Sequence, residues 1–236
     1  MSTGNGQRHT ISHADSLFAG SAQYNAYQGG KRGVEVPHLV TIEFGAVDTL
    51  DADGICVAAT ATEATTLSAT GALVSGGVAT FDIARGIRIT STGNESALTF
   101  TVTGTDQYGE ALVEAIAGPN NTTKDGVKAF KTVTSVAVSG ALTASDVLVG
   151  TNDVWGLPFR LGDVGKFFGM CLDGDAVTTT LVAGLAATGV STATTADVRG
   201  TVIPGTAANG TRVFTAMMIV DHTSKAKAFG TAQYGG

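Results

Sequence analysis

Charge is scarce in this chain. Asp, Glu, Lys and Arg make up 14% of its 236 residues, against ~25% in an ordinary soluble protein. The formal balance is −6, with a pI near 5.1. That argues against a nucleic-acid partner, because phosphate contacts need clustered Lys and Arg. Aromatic residues are 6%, so Val, Ala, Ile and Leu have to fill the core. Proline occurs 4 times and glycine 32 times, the latter about twice the usual ~7% share. Glycine without proline excludes collagen and stiff linkers and implies many turns and bulges. No run of ~18 apolar residues is present, so no membrane span is expected. The N-terminus also lacks the basic-then-apolar layout of a secretory leader. Cys56 and Cys171 sit far apart in apolar runs, and buried free thiols are expected rather than a disulfide.

What is present reads as strand. From Ile83 to Gly140, Leu98, Phe100 and Val102 alternate with Thr99, Thr101 and Thr103, the period of a strand with one buried face. A turn follows at Gly104 to Gly109, where Asp106 can bond its own backbone and Gly109 can take a positive φ. A second run, Ala111 to Ala117, is stopped by Gly118-Pro119-Asn120-Asn121. A third, Val127 to Val138, is rich in β-branched residues. The three together predict an antiparallel meander, with Leu98, Phe100, Val102, Val133 and Val136 in the core.

The rest of the chain continues in that style. Strands are expected at Leu39–Gly45, Ile55–Thr60, Asp146–Val149, Trp155–Leu161 (broken at Pro158), Lys166–Leu172, Thr178–Gly184, Val198–Ile203 and Thr211–Asp221. A tight hairpin is expected around Gly76-Gly77, and Gly205–Gly210 reads as a hairpin loop. Strands ~8–12 residues apart with turn signals between them predict an all-β fold, an antiparallel sandwich or barrel of jelly-roll or immunoglobulin-like type. No segment reads as a well-capped helix. Residues 34–236 form the expected β-domain. Residues 1–33 are a Gly-, Ser- and Asn-rich N-terminal arm, either a loose tail or an extended segment that docks on a partner through Phe18, Tyr24 and Tyr27. The polar stretch from His222 to Gly236 is expected to fray.

Catalytic patterns are few and weak. His9 and His13 have helical metal-ligand spacing, but their Gly-rich surroundings argue against a helix, and no carboxylate completes the set. His38 and His222 read as loop or surface residues. Asp51-Ala52-Asp53-Gly54 and Asp173-Gly174-Asp175 open like calcium loops but lack further ligands, so turns are expected. Asp106, Glu110 and Glu114 lie close enough to be considered as a carboxylate pair. On a strand, Glu110 and Glu114 would share a face with Leu112 and Ile116, which a solvated or interfacial face explains equally well. Trp155, Tyr108 and Tyr234 are the plausible aromatic platforms for a glycan. Asn94, Asn120, Asn121 and Asn209 are sequons without weight when no leader is seen. No enzyme, cofactor or metal is expected.

Three stretches resemble virion structural proteins of tailed bacteriophages, of the capsid decoration or cement type. They are RGIRIT (Arg85 to Thr90) followed by TVTGTDQYGEALVEAIAGPNNTTKDGVKAFKTVTSV (Thr101 to Val136), then VGTNDVWGLPFRL (Val149 to Leu161), and DVRGTVIPGTAANGTRVF (Asp197 to Phe214). The resemblance implies a protein made in the host cytoplasm and placed on the capsid surface between major capsid subunits. It also implies self-association, with a trimer ahead of a dimer. A tail or tail-fibre component and a carbohydrate-binding β-sandwich on the virion surface are the alternatives. The low charge independently favours a chain that hides surface against other subunits.

Overall fold

A computed structural model describes residues 38–143, 146–186, 188–220 and 233–235. Phe18, Tyr24, Tyr27, His9, His13 and His222 lie outside the described residues. In chain order the strands are β1 (His38–Ala46), β2 (Cys56–Ala59), β3 (Thr65–Thr66), β4 (Val74–Ser75), β5 (Val78–Asn94), β6 (Thr99–Thr105), β7 (Ala111–Ala117) and β8 (Asn120–Asp125). They continue with β9 (Phe130–Val138), β10 (Val147–Gly156), β11 (Phe167–Leu172), β12 (Asp175–Val177), β13 (Thr179–Ala183), β14 (Gly200–Pro204) and β15 (Val213–Val220). Every pairing is antiparallel, and one 3-10 turn, Val164–Lys166, is the only helical element among the described residues. The all-β expectation is met.

Two sheets share the work. The larger follows the order β13-β14-β10-β5-β9-β6-β7 and curls into a half-barrel, with β2, β3, β4 and β8 attached to its sides. The smaller has the order β1-β15-β11-β12. Phe100, Val102, Val133 and Val136 are buried inside the curl together with Ile87, Ile89 and Phe130, and Leu98 is half-buried beside them. A second core joins the sheets: Trp155 and Val202 of the large one meet Ile42, Phe214, Ala216 and Met218 of the small one.

Several local expectations hold for stated reasons. Gly76 and Gly77 take φ of 59° and 81° and turn β4 into β5, with Ser75 opposite Val78. This is the left-handed pair that a two-residue hairpin needs. Asp106 accepts hydrogen bonds from the backbone N–H groups of Tyr108 and Glu110 with its Oδ1, and Gly109 has φ 80°. Both cysteines are free; Cys56 is buried, but Cys171 is only half-buried.

Other expectations are corrected. The three runs of the meander are not neighbours in chain order, because β9 pairs with β6 and β5 rather than with β7. Gly118-Pro119 ends β7, and the chain crosses to β5 as β8 before it returns. Gly104 permits this close insertion: a Cβ there would lie 1.9 Å from the Thr132 carbonyl oxygen. Val147 to Gly156 is one strand, whereas two were expected. Its polar centre is paid into the sheet by Thr151 Oγ1, which accepts from the Asp51 N–H, and by Asn152 Oδ1, which accepts from the Val154 N–H. Leu157 to Leu161 is then a loop. Gly205 to Gly210 is not a hairpin, since β14 belongs to the large sheet and β15 to the small. Its ends are anchored separately, Gly205 N–H to Thr178 O and Gly210 N–H to Val47 O. Of the stretch expected to fray, 222–232 and 236 lie outside the described residues, and Gln233 is buried.

Candidate functional site

The chemically densest place lies along β7, the last strand of the curl. Its outer edge would expose unpaired N–H groups, a hazard for any sheet. Two segments distant in sequence cover it: Val113 N–H donates to Tyr234 O at 2.6 Å, and Ala115 N–H donates to Ala193 O at 2.9 Å.

Charged side chains fasten those segments. Lys128 is fully buried, and its Nζ donates to Val113 O at 3.1 Å and Thr192 O at 2.7 Å. The same ammonium stands 5.8 Å from the Tyr234 ring centroid, within cation–π range. Asp197 accepts from the backbone N–H groups of Ala129, Arg199 and Gly200 and from Gln233 Nε2. Gln233 Oε1 accepts in turn from the Val198 N–H. Arg199 pairs with Asp106, both buried, and its guanidinium lies 4.9 Å from the Tyr108 ring centroid.

Glu114 completes the group. Its Oε1 accepts from the N–H groups of Val127 and Lys128, while Oε2 has no hydrogen-bond partner and rests against Gly126, where a Cβ would come within 2.5 Å. Burial pushes its carboxyl up to about 7, against the pull of those two N–H groups and of Lys128. Burial also lowers the Lys128 ammonium and raises the Asp197 carboxyl. The four donors on Asp197 favour its ionised form, because only a carboxylate accepts freely at both oxygens. Three carboxylates (Asp106, Glu114, Asp197) thus meet two cations (Lys128, Arg199). A proton on Glu114 would bring the group to neutrality.

The arrangement locks structure rather than opening onto substrate. The gap beside Asp106, Asp197 and Arg199 has no room for a water molecule. Glu110 and Glu114 do not act as a pair, since Glu114 is buried while Glu110 is half-exposed. Neither a solvated nor an interfacial face accounts for Glu114: it is enclosed by its own chain.

An open cleft of about 270 Å³ adjoins that gap, sharing Ala84, Gln107 and Gly156 with it, and lies between β1 and the β5–β9 region. Phe44 and Ile83 give it an apolar wall, and Glu43, Asp82 and Lys131 its charge. Lys131 Nζ is held by the Asp82 carbonyl, and Asp82 pairs with Arg85. Its polar groups therefore serve the β5 bend first.

The remaining candidates resolve individually. Asp51 Oδ1 accepts from the Asp53 N–H, an Asx turn. Asp173 holds Arg212 Nε and the Val213 N–H, and with Gly174 forms the turn into β12. No group of three or more His, Cys, Asp or Glu suited to a metal occurs among the described residues. His38 opens β1. Trp155 is fully buried and cannot stack on a glycan, Tyr234 is half-buried under Lys128, and Tyr108 alone is substantially exposed. The charge network was invisible to sequence reading except at Asp106 and Glu114. Lys128, Asp197 and Arg199 carry no local pattern that marks them for burial. No family model matches the chain, and no curated protein or solved structure matches it.

Proposed function

We propose that this is a structural virion protein of a tailed bacteriophage, a capsid decoration or cement protein that binds between major capsid subunits. The phage assignment rests on the resemblance of Arg85–Thr90, Thr101–Val136, Val149–Leu161 and Asp197–Phe214 to such proteins. The reading includes self-association, and the observation that supports this is the outward face of the small sheet, where Leu39, Phe168, Val213 and Met217 stand 44–61% exposed. Apolar side chains grouped this way mark a surface meant for another protein. The buried charges support the same reading, because they are spent on fastening the chain's own edge.

The mechanism is mass action. A protein that binds the assembled lattice and not its free subunits stabilises the lattice, and many repeated weak contacts add avidity. Co-sedimentation with isolated phage heads tests it. The expected result is saturable binding in proportion to the lattice repeat. Binding to tails, or to neither part of the virion, would overturn it.

A further inference from the structure

The strands of the small sheet read as if both of their faces were covered, yet the described chain covers one. In β15 the inward residues Phe214, Ala216, Met218 and Val220 are buried, and the outward set is Val213, Thr215, Met217 and Ile219. A strand that is apolar on both faces is the mark of a sheet enclosed on both sides. Around Met217 the register places Thr41 on one flank and Gly169 on the other, with Leu39 opposite Ile219. The bulge between Phe167 and Gly169 leaves Phe168 outward at 61% exposure. Four of the ten large apolar side chains exposed among the described residues belong to this one face.

We propose that this face receives the N-terminal arm of a neighbouring copy, seated through Leu17, Phe18, Tyr24 and Tyr27. The inference deepens the self-association in the reading above by naming both surfaces. The described chain begins at His38, the first residue of β1, so 37 residues lead directly into an outer strand of this sheet. Within them Leu17 to Gly30 contains no charged residue, which suits a receiving face on which Glu43, opposite Thr215, is the one charge of β1 in register with the outward residues of β15. Residues 221–232, also outside the described set, run between Val220 in β15 and Gln233, which is hydrogen-bonded to Asp197.

Reach and direction favour a neighbour. Twenty residues from Phe18 to Pro37 can span about 65 Å when extended, whereas four strands measure roughly 15 Å across. Docking on its own sheet would require the arm to reverse between Phe18 and β1. Exchange between copies needs no such reversal, and each copy gives one arm and receives one, which closes the assembly when the exchange is reciprocal or completes a ring.

Cys171 is a built-in reporter. It lies on the outward face of β11 between buried Met170 and Leu172, while Cys56 is enclosed. The test compares thiol labelling of the full-length protein with that of the full-length variant Phe18→Ser/Tyr24→Ser/Tyr27→Ser, in the absence of phage heads. Cys171 in the variant is expected to label roughly tenfold faster, in proportion to the lost occupancy of the face. Protection in the parent should vanish on dilution. Equal rates in parent and variant would overturn the proposal, as would protection that persists at any dilution, which would mean each arm covers its own sheet. A second variant, Met217→Glu with the arm intact, should abolish self-association in sedimentation velocity; an oligomer that survives it would also overturn the proposal. Neither measurement depends on capsid binding, so the decoration role stands or falls separately.

Discussion

Trp155 and Phe214 meet edge to face, their ring centroids 4.8 Å apart at 90°. One ends β10 of the large sheet and the other begins β15 of the small one, 59 residues later, so this contact joins the two halves of the fold. Aromatic pairs of this geometry add about 0.5–1.5 kcal/mol beyond the area they bury. Trp155→Ala should therefore cost roughly 3–5 kcal/mol in urea unfolding. The double variant with Phe214→Ala should lose less than the sum of the two single losses. Strict additivity would mean that the rings act independently.

Within the curl, Phe100 is fully buried between β9 and β7. Phe100→Ala should cost about 3–5 kcal/mol. A loss under about 1 kcal/mol would show that the ring faces outward.

The charge network predicts an asymmetry between ion pairs. Removing Asp106 leaves Arg199 charged and enclosed, and Asp106→Ala should cost on the order of 3–5 kcal/mol. Arg212→Ala breaks the Asp173 pair, whose side chains are 42% and 44% exposed, and should barely move the transition. Equal effects from the two substitutions would contradict the burial assigned to Arg199.

Stability should also depend on pH through Glu114. Its carboxyl is raised from 4.5 to about 7 by burial. Between those values the folded chain holds a proton that the unfolded chain has released, so stability falls as pH rises through the window. The contribution of this group is on the order of 3 kcal/mol. Glu114→Gln should flatten the slope between pH 4.5 and 7 in denaturation series; an unchanged slope would place the titration elsewhere.

How far the sequence could be read depended on the range of the interaction. Period-two alternation and turn chemistry are local, so the strands around Phe100, the Gly76-Gly77 hairpin and the Asp106 turn were legible. Strand order is not local. Nothing near Val133 states that β9 will insert between β5 and β6; the sign is the lone Gly104, whose missing Cβ makes room for the Thr132 carbonyl. The loop from Gly205 to Gly210 has hairpin composition, yet Thr178 and Val47 pull its two ends to different sheets. Lys128 and Asp197 resemble surface charges until β7 is seen to need a cover for its edge. Polarity likewise misjudged Gln233, which is valuable for its hydrogen bonds to Asp197 and Val198.

The arm and the fold should be separable. Deleting Met1 to Gly33 should leave the β-type circular-dichroism spectrum intact and weaken binding to phage heads. A truncated protein that decorates heads as tightly as the full chain would make the arm dispensable.

The central claim concerns place in the virion, and labelling the protein on intact particles for electron microscopy tests it most directly. A label distributed over the head surface at lattice-related positions is the predicted result; a label confined to the tail or its fibres would contradict the account.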